Sequence, residues 1–441
     1  METKTATKLI LIANKAKENK KLKFTSLMHH FNFEYLWECY QNLDKGKAAG
    51  IDGRTKESYT ENEIKQLLKE TVQELKQRKY KPSPVKRIYI EKPGSSKTRP
   101  LGLPTVRDKV VQMVAKKILE AIWEQDFLNC SYGYRPQRNA HQALKSINHM
   151  IMQKKINYLI DADIKSFFDT LDHKWLMEFL SHRISDPLFK SLIYKFLKSG
   201  ILENGKFQET ILGTPQGGII SPVLANIYLH YVLDLWYNGK IKKELKGQSQ
   251  LIRYADDFVI GFECKEDAIK VLSELKERFA KFNLKLAEDK TKIIEFGRFA
   301  EENTKRRGGG KPETFDFLGI THYCGATRDG RFKLGVKTSK KSTKKSLKSM
   351  NEWLRKVRNL DKQKEIWKIL KSKLTGHYQY YGISGNFESI KQFHCKTRQM
   401  AYKWLNRRSQ KKSFNWERFS QYIERYPLPK PELKFQIYNT W

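Results

Sequence analysis

Two adjacent carboxylates, Asp256 and Asp257, stand between short apolar runs in Leu251-Ile252-Arg253-Tyr254-Ala255-Asp256-Asp257-Phe258-Val259-Ile260. Strand side chains alternate, so a chain folding back at Ala255-Asp256-Asp257 makes a hairpin with acids at its tip. Carboxylates crowded beside an apolar core repel, at a cost of roughly several kcal/mol, unless cations compensate. Such a tip is a place to hold Mg²⁺, although a solvated turn would use the same residues. A second acidic segment bears on that choice. Asn157-Tyr158-Leu159-Ile160-Asp161-Ala162-Asp163-Ile164 reads as a strand with Asp161 and Asp163 on one face and Ile160, Ala162 and Ile164 on the other. Strand geometry alone leaves open which of the two acids is a ligand.

The elements that must position these acids follow from the intervening sequence. Gly213-Thr214-Pro215-Gln216-Gly217-Gly218-Ile219-Ile220-Ser221-Pro222 predicts a loop whose glycines permit close backbone approach. Ser221 is the expected N-cap, with Pro222 at the first helical position. The following helix should bury Leu224, Ile227, Tyr228, Tyr231 and Leu235 against a sheet. Acid-bearing strand, glycine-bounded loop, core helix and acid-tipped hairpin is the order of a nucleic-acid polymerase palm.

The ordered set Asp163-Ile164-Lys165-Ser166-Phe167-Phe168-Asp169, Thr214-Pro215-Gln216-Gly217-Gly218, Tyr254-Ala255-Asp256-Asp257 and Phe317-Leu318-Gly319 closely resembles the reverse transcriptase motifs of bacterial group II intron-encoded proteins. Also similar are Gly46–Gly53, Arg99-Pro100-Leu101-Gly102-Leu103-Pro104 and Ser131-Tyr132-Gly133-Tyr134-Arg135-Pro136. Together they run from about residue 40 to about 325 in the family's order. The resemblance implies an α+β fold: a right-hand polymerase with helical and β-hairpin fingers, an antiparallel-sheet palm and a helical thumb and maturase region. The spans expected are 1–80 for an N-terminal extension and helical fingers region, 81–330 for fingers and palm, and 331–441 for thumb and the RNA-binding domain X.

The implied chemistry is attack of a primer 3′-hydroxyl on the α-phosphorus of a deoxynucleoside triphosphate. Two Mg²⁺ ions about 4 Å apart would lower the hydroxyl's pKa and offset charge on the leaving oxygens. Register with the family's first acidic motif selects Asp163; with Asp256 and Asp257 it completes the expected metal set, leaving Asp161 behind it or solvated. Phe168, five residues after Asp163, falls where the family carries the bulky side chain that blocks a ribose 2′-hydroxyl, while Phe167 is expected in the core. Gln216 sits where an amide could contact the incoming nucleotide. Lys92 and Arg99 would lie over the triphosphate, whose roughly four negative charges suit a bidentate guanidinium. Lys290 is a further basic candidate near the acids, and Phe317-Leu318-Gly319 would position the primer backbone.

Charge points to the same partners. The chain of 441 residues carries 85 Lys plus Arg against 48 Asp plus Glu, a net +37 that calls for a polyanion. No run of eighteen apolar residues and no signal-peptide core is present, so a membrane partner is not expected and a cytoplasmic location is. The five cysteines are scattered without a Cys-x-x-Cys pair, which excludes a disulfide framework or zinc module.

Helices are expected from the spacing of Phe33, Leu36, Trp37, Tyr40 and Leu43, of Ile64, Leu67, Leu68, Val72 and Leu75, and of Val110, Val114, Ile118 and Ile122. Val85–Ile90 alternates as a strand ending near a Pro93-Gly94 turn, residues 301–312 read as an exposed loop, and Thr314–Ile320 as a core strand. Residues 331–360 hold eleven Lys or Arg and one acid, Glu352, with Leu347, Met350, Leu354 and Val357 as a helical stripe. A packed side opposite a densely basic side, here Lys340, Lys341, Lys344, Lys345 and Lys348, suits a nucleic-acid clamp better than a solvated face, which usually mixes signs. Arg407 and Arg408 are further RNA-binding candidates amid aromatics such as Tyr380, Tyr381, Trp404 and Trp416, of which Trp404 reads as core.

The function expected is RNA-directed DNA synthesis combined with group II intron RNA binding that assists splicing and mobility. Its partners would be intron RNA, an RNA template with a DNA primer, and target DNA. A non-intron reverse transcriptase in phage defence and a polymerase-inactive splicing factor are the alternatives. With 25 residues after Trp416, lacking His and Cys, the form without a C-terminal His-Asn-His endonuclease is expected.

Overall fold

The computed structural model describes residues 4–91, 98–203, 206–209, 212–213, 217–359, 362–408 and 415–438. It is an α+β fold of helices around three small sheets. The described strands, in chain order, are β1 (Val85–Glu91), β2 (Thr98–Leu103), β3 (Tyr158–Asp163), β4 (Ile201–Glu203), β5 (Lys206–Gln208), β6 (Ser249–Tyr254), β7 (Asp257–Phe262), β8 (Lys292–Glu295), β9 (Phe315–Phe317), β10 (Ile320–Ala326) and β11 (Phe332–Thr338). They form sheets ordered β2-β1-β4-β5, β6-β7-β3-β8 and β11-β10-β9.

The second sheet carries the acids and is antiparallel throughout. Its two faces meet different cores. Ile160, Ala162, Phe258 and Ile260 join a large cluster that reaches into the N-terminal helices, while Leu159, Ile252, Val259 and Ile294 join a second that includes Phe317 and Val336. Alternation along β3 and β7 therefore satisfies both faces. The acids stand at the end where β3 finishes and β7 begins.

Local signals fix the helices behind the sheet. Thr105 caps the helix Val106–Trp123 by accepting from Asp108 N, and Val110, Val114, Ile118 and Ile122 are fully buried. Thr60 and Glu63 make a reciprocal capping box on Glu61–Lys76. Asn32 caps Phe33–Gln41, where Leu36 and Tyr40 turn inward. The N-terminal helices share the first cluster with residues 106–127 and so have no separate core.

Three local expectations need correction. Ser221 is not the N-cap: the helix Ser221–Leu229 is capped by Ile220 and starts on Ser221, because Ser221 N already bonds to Gly218 O. Leu235 does not lie on the buried stripe; it is exposed, and Asp234 is buried instead. Two wide turns, His230–Asp234 and Tyr237–Ile241, rotate the face by about one residue. Residues 301–312 are not all loop. Ala300–Arg306 is a short helix held by Glu301–Lys305 and Glu302–Arg306 pairs at i,i+4, at 2.9 and 2.5 Å. The Pro93-Gly94 turn lies outside the described residues, although β1 and β2 pair antiparallel on either side of it.

Beyond β9 the chain turns through Leu318 and Gly319, both at positive φ, into the β10–β11 hairpin. The helices Lys340–Val357, Gln363–Tyr381 and Phe387–Leu405 then pack a third cluster around Met350, Leu354, Leu370, Leu374 and Trp404. Trp404 is core, as its spacing suggests, and its indole N–H donates to Asn351 Oδ1 at 2.8 Å. No described helix is long and apolar enough to cross a membrane.

Candidate active site

The hairpin forms where the sequence places it. β6 and β7 pair with Tyr254 opposite Asp257, and the turn runs through Ala255 at φ +58° and Asp256. Across the neighbouring ladder Asp163 lies directly opposite Asp257, so the last residue of β3 and the first of β7 face each other. Directly opposed like charges on a sheet are unfavourable. Asp161 sits two residues back on the same face of β3, opposite Val259 and beside Lys292 of β8.

The electrostatics record this crowding. Burial, then Asp161, Asp163 and Asp256, push the Asp257 carboxyl up to about 8, against a smaller pull from Lys290. Asp256 is raised by burial and by Asp163, with Arg99 and Arg253 opposing. Asp161 is pushed up to about 6, chiefly by burial, while Lys292 acts the other way. Lys290 forms an ion pair with Asp163, which raises the ammonium pKa. The chain brings it there by backbone pairing: Ala287 N donates to Asp163 O at 2.8 Å, and Lys290 N to Ala287 O at 2.9 Å. Lys290 therefore belongs beside the acids themselves.

A cavity of about 1080 Å³ opens beside Asp163, Asp256 and Lys290, lined also by Arg99, Tyr134 and Phe168 among others. After β3 the chain turns at Ser166, φ +49°, into the short helix Phe167–Thr170. Phe167 packs against Tyr228 in the core, and both Phe167 and Phe168, each largely buried, border the cavity. Gly217 sits against the first sheet at φ +109°; a Cβ there would meet Gly102 O at 2.5 Å. Glycine is what lets the loop before the core helix touch β2. Lys92 and Gln216 lie outside the described residues. The five lysines on the helix 340–357 and Arg407 are exposed, far along the chain from the acids, and Arg408 is half-buried.

The donor chemistry is all carboxylate oxygen, which suits a hard divalent cation. Among the described residues no three His, Cys, Asp or Glu side chains converge into a ready-made metal cage, and Lys290 engages Asp163.

The comparisons agree with this geometry. A family model described as reverse transcriptase (RNA-dependent DNA polymerase) matches residues 90–322, more than half of the chain. The group II intron-encoded protein LtrA of Lactococcus lactis subsp. cremoris is 32% identical over 452 residues, covering 87% of this chain and 74% of the relative. The chain belongs to the group II intron-encoded reverse transcriptases. Protein YkfC of Escherichia coli K12 is 34% identical over 59% of this chain and 76% of its own length. The putative COX1/OXI3 intron 2 protein of Saccharomyces cerevisiae is 33% identical over 44% of this chain and 22% of its own.

This reverse transcriptase is accordingly an RNA-directed DNA polymerase whose activity is linked to intron splicing and mobility. Family chemistry of this kind uses a divalent metal. Sequence motifs did not point to the buried Arg253–Asp234 pair behind the hairpin. A charged residue in the apolar run before Tyr254 was the available signal.

Proposed function

We propose that the chain works as a right-hand polymerase, with residues 1–80 as N-terminal extension and helical fingers region, 81–330 as fingers and palm, and 331–441 as thumb and domain X. The β10–β11 hairpin crosses residue 330, and the basic helix begins after its N-cap at Ser339. The observation that carries this reading is Asp163 facing Asp257 across the ladder, with Asp256 at the adjoining turn and a cavity in front.

In this reading Asp163, Asp256 and Asp257 hold two Mg²⁺ ions, which when bound would activate the primer hydroxyl and neutralise the leaving oxygens. The 3′-oxygen forms a bond to the α-phosphorus as the bond to the bridging oxygen breaks and pyrophosphate departs. Arg99 takes triphosphate oxygens in bidentate fashion, with Lys92 beside it. Lys290 balances Asp163 and stands where the triphosphate's charge arrives. Gln216 contacts the incoming nucleotide. The lysines of helix 340–357, with Arg407 and Arg408, bind the RNA. Its substrates and partners are deoxynucleoside triphosphates, an RNA template with a DNA primer, its own intron RNA and target DNA, in a cytoplasmic ribonucleoprotein.

The deciding experiment gives purified protein an annealed DNA primer on an RNA template with Mg²⁺ and either deoxy- or ribonucleotides. Extension with deoxynucleotides, and acceleration of self-splicing when the cognate intron RNA is added, are the expected results. Failure to extend on RNA while extending on DNA would overturn the template assignment.

Sugar selection gives a second test. Phe168 borders the cavity with one side while its other side packs in the core. Phe168→Ala should raise ribonucleotide incorporation relative to deoxynucleotide by about 10- to 100-fold, which corresponds to about 1.4–2.7 kcal/mol of steric discrimination. Single-nucleotide kinetics check it; an unchanged ratio in a folded enzyme returns Phe168 to a packing role. Phe167→Ala, which hollows the core beside Tyr228, should lower stability by about 3–5 kcal/mol and change the ratio less than Phe168→Ala does.

A further inference from the structure

Behind the acid-tipped turn lies a charge that is completely removed from water. Arg253 and Asp234 have no exposed side-chain surface. The guanidinium donates through Nε to Asp234 Oδ1 at 2.8 Å and through Nη2 to Oδ2 at 2.6 Å. Nη1 donates twice more, to Asn226 Oδ1 and to Ala255 O, both at 3.0 Å. Ala255 O belongs to the peptide that leads into Asp256, and Ala255 itself sits at φ +58°, which a residue with a Cβ rarely adopts.

The same network reaches the cavity by another route. Asn226 Nδ2 donates to Gly133 O at 2.7 Å. Arg253 N donates to Cys130 O, and Tyr132 N to Arg253 O, at 2.8 and 2.9 Å. A Cβ on Gly133 would lie 2.5 Å from Ala255 N, so this loop presses directly on the turn. The next residue, Tyr134, at φ +55°, is exposed and lines the cavity with Asp163 and Asp256. Asp234 faces inward only because the wide turn at 230–234 shifts the helix face. Three segments distant in sequence thus converge on one buried cation.

We propose that Arg253, held by Asp234 and Asn226, is a positioning residue for DNA synthesis: it clamps the strained Ala255–Asp256 peptide and the Gly133–Tyr134 loop so that Asp256 meets the opposed Asp163 and Asp257 in a fixed geometry. The fixed geometry matters because a ligand displaced by about 1 Å can cost about 100-fold in rate. The proposal rests on the assignment of Asp256 to the metal set.

Removing Arg253 outright strands Asp234 as a buried, unpaired charge, so Arg253→Ala is a poor test. Two milder variants separate positioning from folding. Asn226→Ala keeps the Arg253–Asp234 pair and cuts the tie to Gly133. Arg253→Lys keeps the charge opposite Asp234 but a lysine ammonium does not reproduce the planar fork that serves Asp234, Asn226 and Ala255 together. Each is measured for single-turnover extension rate, KM for deoxynucleotide, primer–template affinity, thermal midpoint and Mn²⁺ binding by electron paramagnetic resonance.

The expected result is an extension rate lower by about 10- to 100-fold and weaker Mn²⁺ binding. KM for nucleotide and primer–template affinity should stay within about threefold, and the thermal midpoint should fall by only a few degrees. An unchanged rate and unchanged Mn²⁺ binding in both variants would overturn it. So would a rate that falls only in step with nucleotide KM, template affinity and thermal midpoint, which marks a general brace. If Asp256→Asn is itself fully active, the site assignment has failed; if Asp256→Asn is inactive while both variants behave as wild type, the clamp alone has.

Discussion

Asp256→Asn protein should extend a DNA primer on RNA at least about 10³-fold more slowly than wild type, while binding RNA with nearly unchanged affinity. An amide keeps the size of the carboxylate and removes its charge, so the side chain still fits the turn beside Ala255. What it loses is the ability to hold a cation at the point where charge develops. About 4 kcal/mol of lost transition-state stabilisation gives that factor, at 1.36 kcal/mol per decade. Asp163→Asn and Asp257→Asn should behave alike, since the two acids oppose each other across β3 and β7.

The stability of the Asp257 variant should move the other way. Asp257 is held well above the ordinary carboxylate range by burial and three neighbouring acids, so its charged form is unfavourable in the fold. A neutral isostere relieves that repulsion, and Asp257→Asn should melt at or above the wild-type temperature. Loss of activity with retained or increased thermal midpoint is the signature sought. Near-wild-type extension by Asp163→Asn would instead transfer the ligand role to Asp161, which shares its face of β3.

Neutralising Lys340, Lys341, Lys344, Lys345 and Lys348 together should weaken RNA binding by about 10²- to 10³-fold at low salt and flatten its salt dependence. If all five meet phosphates of a single strand, the slope of log affinity against log salt falls by about 3.5. The helix itself gives the reason to expect contact. Lys340 and Lys341 occupy the first turn after the Ser339 cap, where the helix dipole disfavours cations by a few tenths of a kcal/mol each. Met350 and Leu354 hold the opposite side in the third core, so the basic side faces outward. Lys348 lies 3.8 Å from Glu352, a partly screened surface pair, and should contribute least of the five. Filter binding from low to moderate salt measures the slope. No change in slope would make this a solvated face and turn attention to Arg407, Arg408 and the N-terminal segment. Primer extension on a saturating template should be spared, because the acids sit on the β6-β7-β3-β8 sheet and the lysines on a helix of the third core.

How much of this was legible beforehand depends on the range of the interaction involved. The acid-tipped hairpin, the alternation of β3, the helix 106–123 and the buried stripe of 340–357 follow from periods of 2.0 and 3.6, which any short window of sequence displays. The motif order from Asp163 to Gly319 likewise fixed the family, because each motif is local and their succession is read along the chain. Leu235 was misplaced for the converse reason: a single wide turn shifts every later residue on the helix by one position, and no residue type announces it. The helix at 300–306 was missed because its polar residues carry no apolar stripe, and i,i+4 ion pairs hold it instead.

The sequence by itself determined which residue types exist to do the chemistry and which strands and helices carry them. Tertiary structure decided their pairing: Asp257 facing Asp163, Lys290 reaching back across 127 residues to the same acid, and Arg253 joined to Asp234, Asn226 and Gly133. Those contacts arise from ladder register, a wide helical turn and a close backbone approach at Gly133. Register and approach are set by how whole elements pack, and packing is a property of distant segments together.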